Sequence, residues 1–212
     1  MKRKINLDNW NRAAHFHFFR KFEEPFWGVT VELDCSAAYQ FCKENHLPFF
    51  LYYLHRSLAA ANRTEAFRYR IHGEGVCLYD AVDASPTIDR PDGTFGFAYL
   101  PYRENFTTFL KPAFREIERV RKSKDLTPAV SGENVIHYTA LPWLKFTSLS
   151  HARAFSPPDS CPKIAFGKMS ESQGRRLMPI AIHVHHALVD GRQVGEFVDL
   201  FQELMSTPDK LV

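Results

Sequence analysis

Residues 178–199 concentrate side chains suited to moving protons: His183, His185, His186 and Asp190, with Gly191 directly after. Between 180 and 186 the pattern alternates. Ile180, Ile182, Val184 and His186 share one face of a strand, and Ala181, His183 and His185 share the other. His186 thus ends an otherwise apolar row. An imidazole's ordinary pKa lies near neutrality, so one at a strand end suits general base work at pH 7. Asp190 either orients it or pairs with an arginine to hold the turn. Each residue alone has a plainer reading, as a half-buried histidine and a turn aspartate before glycine. The combination His-His-x-x-x-Asp-Gly on a strand, turn and helix points to function.

The same cluster invites a metal reading, because His183 and His185 share a strand face. His186 points the other way, and none of Cys35, Cys42, Cys77 or Cys161 is close in sequence. No metal is expected.

These groups need a scaffold. The strand before His186 runs into a helix over 191–205, where Val194, Phe197, Val198, Phe201, Leu204 and Met205 recur at helical spacing and Pro208 marks the end. Upstream, residues 10–14 predict a helical turn leading into an extended aromatic stretch. Residues 28–33 alternate as a strand. A helix follows to about residue 45, capped by Asp34 or Ser36, and another runs from Pro48 to about residue 62. Strands are expected over 67–72, 76–79, 85–89 and 94–100, and a long helix over 105–122 despite Pro112. A loop, then strands over 135–139, 144–149 and 164–169, with a loop over 151–162, complete the pattern. Many strands in irregular order with few helices between them argue for α+β with a mixed sheet.

With 212 residues, 45% hydrophobic and 14% aromatic, the chain suffices for one domain spanning 1–212 with a substantial core. A net charge of +3, with basic residues dispersed, implies no nucleic-acid partner. There is no apolar run of membrane length, no secretory leader is expected, and the cysteines lack metal or redox spacing. A reducing, cytoplasmic setting is expected.

Four elements in order resemble the chloramphenicol O-acetyltransferase family: Trp10-x-Arg12-x-x-His15-Phe16-x-Phe18-Phe19, Thr139-Ala140-Leu141-Pro142-Trp143, the strand over 162–168, and His185-His186-Ala187-Leu188-Val189-Asp190-Gly191. The match spans nearly the whole chain. The resemblance implies a two-layer α/β sandwich, a homotrimer with active sites between subunits, and direct transfer of acetyl from acetyl-CoA to a hydroxyl of chloramphenicol. It makes His186 the general base, with a local hydrogen bond fixing its tautomer. It gives Thr139 the oxyanion-stabilising hydroxyl, Asp190 and Arg12 a buried ion pair behind His186, Phe18 and Phe19 the acceptor wall, and Lys168 a position near CoA. Departures fall on the acceptor side: Thr139 for serine, Phe19 for tyrosine, Ala165 for threonine, and Glu23-Glu24 beside the pocket. They keep open a same-fold acyltransferase for another hydroxylated small molecule, or a non-catalytic binding member of the fold.

Overall fold

The computed structural model describes residues 1–126, 132–153 and 159–208. A short strand β1 (Lys2–Lys4) precedes helix α1 (Ala13–Phe19). The aromatic stretch expected to be extended is therefore helical. Phe16 and Phe19 turn inward together while His15, His17 and Phe18 stay exposed. Residues three apart share a helix side, whereas alternation would separate them. Strand β2 (Phe26–Asp34) leads to α2 (Ser36–Glu44) and α3 (Phe49–Arg63), as expected. Every residue from 51 to 61 is buried, so α3 is a central helix covered all round.

Next come β3 (Tyr69–His72), β4 (Gly75–Tyr79), β5 (Asp83–Asp89) and β6 (Phe95–Phe97). β3 starts two residues late because residues 65–68 form a 3₁₀ turn. Helix α4 (Phe106–Lys122) is capped by Asn105, whose side chain accepts the Thr108 N–H at 3.0 Å. The chain ends with β7 (Val135–Ala140), β8 (Lys163–Phe166), β9 (Ser170–Ser172), β10 (Arg175–His185) and α5 (Gly191–Ser206).

β1, β4 and β3 form a small sheet. The larger sheet runs β2-β10-β8-β7-β5-β6, with β9 beside β10. β7 lies parallel to β5 and β8, and the other pairs are antiparallel, which gives the expected mixed sheet. Its apolar face, including Tyr138, Ile164, Phe166, Ile182 and Val184, belongs to the main core. Phe166 meets Tyr53 of α3 and Phe201 of α5, so helices form a second layer.

The strand expected over 144–149 does not form. The neighbouring strand β8 already has β7 and β10 on its two edges. The segment turns instead, with the Leu144 N–H on the Leu141 carbonyl at 3.0 Å and the Lys168 N–H on the Leu144 carbonyl at 2.7 Å. The loops expected after α4 and over 151–162 lie partly outside the described residues. No helix among the described residues is long and apolar enough to cross a membrane.

Candidate active site

β10 ends at His185, and His186 begins the turn into α5. Its N–H still bonds the Pro25 carbonyl at 2.8 Å, extending the edge against the start of β2. The imidazole stacks on Phe19 of α1, with ring centroids 3.9 Å apart and planes 15° apart. Trp27 of β2 tilts against it at 5.7 Å and donates its indole N–H to the Val189 carbonyl at 3.1 Å. Aromatic walls on two sides fix the ring by shape. The local hydrogen bond expected to set its tautomer is absent among the described residues: His186 Nδ1 is buried without a partner.

Asp190 caps α5. Its carboxylate accepts the Arg192 N–H at 3.1 Å, while its own N–H bonds the Gln193 side chain at 3.0 Å, a reciprocal capping box. Arg12, just ahead of α1, reaches across to Asp190 Oδ2 at 2.5 Å and to the His186 carbonyl at 3.4 Å. One guanidinium therefore ties both ends of the turn together. Burial alone would raise the Asp190 carboxyl, but the Arg12 hydrogen bond and charge, helped by the α5 amides, hold it below the usual carboxylate range. Arg12 and Asp190 meet as expected, and Phe19 joins them. Phe18 contacts the same aromatic group edge-on to Phe19 but is 61% exposed. Lys168 is exposed on the connection after β8.

His185 behaves differently from its neighbour. Its Nδ1 accepts the Ala187 N–H at 3.2 Å, and burial pushes its pKa down to about 4. It is a neutral turn-holding group.

Thr139 is not brought to His186 within one chain. Across the sheet it aligns with Ala165 and then Ala181, five residues before His186. Strand spacing and rise put the two roughly 20 Å apart.

The row beside Thr139 holds side chains that sequence reasoning did not gather. His137 of β7, Lys163 of β8 and His183 of β10 lie in register, with Gly28 of β2 at the end. Lys163 forms an ion pair with Asp159, and its Nζ also donates to the Cys161 carbonyl at 3.3 Å. His151 Nδ1 meets His183 Nδ1 at 3.2 Å, and Arg153 pairs with Glu24. Burial, then the charge on Lys163, pushes His137 down to about 4; burial and neighbouring positive groups do the same to His151. Among the described residues, His137, Asp159 and Cys161 present ligand atoms within 4.8 Å of one another. The Lys163 ammonium already serves Asp159 as its cation, and the Cys161 thiol donates to the Glu133 carbonyl at 3.3 Å. These contacts engage two of the three groups with partners other than a metal. Two signals for missed residues were present in the sequence. Asp190-x-x-Gln193 is a capping-box spacing, and His137 lies two residues before Thr139, on the same strand face.

Comparison with known proteins points to one family. The profile of the family described as chloramphenicol acetyltransferase matches residues 2–202. A chloramphenicol acetyltransferase of Bacillus pumilus is 27% identical over 205 residues, covering 96% of this chain and 93% of that protein. Chloramphenicol acetyltransferase 3 of Escherichia coli is 27% identical over 206 residues, covering 96% and 97%. A solved chloramphenicol acetyltransferase structure superposes with a TM-score of 0.90 at 33% identity, covering 97% of this chain and all of the other. The dihydrolipoamide acetyltransferase of Azotobacter vinelandii shares the fold, with a TM-score of 0.70 at 14% identity over 94% of this chain and 88% of its own.

Proposed function

Because the chain belongs to the chloramphenicol acetyltransferase family, we propose that it transfers acetyl from acetyl-CoA to a hydroxyl of chloramphenicol, with His186 as general base. The imidazole takes the hydroxyl proton as the oxygen attacks the thioester carbonyl. A tetrahedral intermediate forms and collapses, the carbon–sulfur bond breaks, and the departing CoA sulfur receives the proton. No acyl-enzyme intervenes.

General base assistance contributes a factor of roughly 10²–10⁴. The Thr139 hydroxyl donates to the oxyanion, a contact worth about 3 kcal/mol of barrier. Arg12 and Asp190 are positioning residues that hold the turn carrying His186. Phe19 and Phe18 line the acceptor side, and the exposed Lys168 meets a CoA phosphate. The chemistry needs no metal.

Since His186 and Thr139 are far apart in one chain, each site takes the histidine from one subunit and the hydroxyl from its neighbour in a homotrimer. Exposed Phe18, Trp143 and Leu144 become covered in that assembly. Each subunit acts as a single domain. Four cysteines, all buried and free, suit a reducing cytoplasm.

The observation carrying this reading is the Arg12 guanidinium, which bonds both Asp190 and the His186 carbonyl. Release of CoA thiol from acetyl-CoA tests it, with and without chloramphenicol, on the wild type and on His186→Ala. Release should need the drug and fall at least a hundredfold in the variant. Equal rates in the two proteins would refute the role of His186.

A further inference from the structure

The hydroxyl proposed for the oxyanion stands beside a row of polar side chains. Along β7, His137 lies on the same face as Thr139, about 7 Å away by strand rise, and Lys163 is one strand further on. That span is the length of a small acceptor. The row is also charge-balanced. Lys163 is paired with Asp159 and Arg153 with Glu24, while burial keeps His137 and His151 neutral at pH 7. Two nitrogens there are buried without a hydrogen-bond partner, His151 Nε2 and Arg153 Nε. Buried polar atoms are normally satisfied, so unsatisfied ones close to the hydroxyl proposed for the oxyanion mark places where a ligand's polar atoms belong.

Different acceptors fare differently against such a row. An apolar ring would cover the partly exposed Asp159 carboxylate of the buried Lys163–Asp159 pair and return no hydrogen bonds. An anionic group would meet Asp159 and Glu24, and a cationic one Lys163 and Arg153. A neutral hydroxyl both donates and accepts, so it can satisfy carboxylate, ammonium and imidazole alike. We infer that the acceptor pocket selects neutral, hydroxyl-rich molecules of the polyol or glycoside class, whose further hydroxyls bond His137, His151 and the Lys163–Asp159 pair while one hydroxyl is acetylated. This inference rests on the acetyl-transfer reading above and names the substrate class of the same site.

The test measures kcat/KM for acetyl-CoA-dependent acetylation of a methyl glycoside, an alkanol of similar size and chloramphenicol. It uses the wild type, Lys163→Met/Asp159→Leu and His137→Leu. The single variant decides the matter if the double variant does not fold. In the wild type the glycoside should exceed the alkanol at least tenfold, because a site built for hydrogen bonds rejects analogues that lack them. The glycoside-to-alkanol ratio should drop at least tenfold in the variants. Acetylation of chloramphenicol without a glycoside preference, or an unchanged ratio in the variants, overturns the inference and leaves acetyl transfer standing. Silence with every acceptor, chloramphenicol included, overturns the acetyl-transfer reading and this inference with it.

Discussion

His185 and His186 are adjacent in sequence but surrounded by different groups. His185 accepts the Ala187 N–H and is buried, whereas His186 lies between Phe19 and Trp27 at the mouth of the turn. Asp190 acts on the second of them through Arg12, and two substitutions separate its contributions. Asp190→Asn keeps a good helix cap but removes the charge facing Arg12, whose side chain is only 11% exposed. Because Asp190 itself is 33% exposed, the loss should fall short of a fully buried pair, at roughly 1–3 kcal/mol. Asp190→Ala also loses the cap and should cost about 1 kcal/mol more. Urea unfolding of the three proteins measures both steps. The folded carboxyl titrates lower than in the unfolded chain, so its stabilisation is present above about pH 4 and is lost as pH falls through the folded value. The gap between wild type and Asp190→Asn should therefore narrow in acid. At this scale much was legible. His186, Asp190 and Gly191 sit in one short stretch where alternation and turn chemistry can be read directly. His137, His151 and Lys163 could not be grouped, because strands distant in sequence bring them together.

Gly28 of β2 shows how the elements constrain the site. A Cβ there would lie 2.4 Å from the His183 ring, which occupies the space a side chain would need. Gly28→Ala should destabilise the protein by about 1–3 kcal/mol through overpacking, read as a lower thermal midpoint. By shifting His183, it should also disturb the contact with His151. Helices α2 to α5 were readable because their apolar spacing is long and regular. α1 was misjudged because a short, densely aromatic run suits either period. Its inward pair, Phe16 and Phe19, is defined only by the core and His186 against which it packs. The segment over 144–149 has local strand character, but a strand needs a partner, and sequence does not reveal that the neighbouring β8 is already paired on both sides.

For the molecule as a whole, buried histidines set the acid limit. His55, His137, His151 and His185 are each pushed down to about 4, chiefly by burial. In the unfolded chain they titrate near 6.5. Between those values the unfolded state binds protons that the folded state refuses, so stability falls as pH drops from about 6.5 towards 4. Urea midpoints measured across that range should decline steadily; a flat profile would show these rings to be solvated. The α+β class with a mixed sheet followed from the order of strands and helices and the two layers from the family resemblance, whereas the roughly 20 Å between Thr139 and His186 required the sheet register. That separation makes the account's central claim testable by mixing subunits. His186→Ala and Thr139→Ala are each expected to be nearly inactive alone. Co-expressed, they should assemble sites of which about a quarter carry both groups, because each site draws on two chains. Acetyl-CoA-dependent acetylation of chloramphenicol by the mixed preparation should recover to that order. Mixed assemblies as inactive as either parent would contradict a histidine and a hydroxyl acting across a subunit boundary.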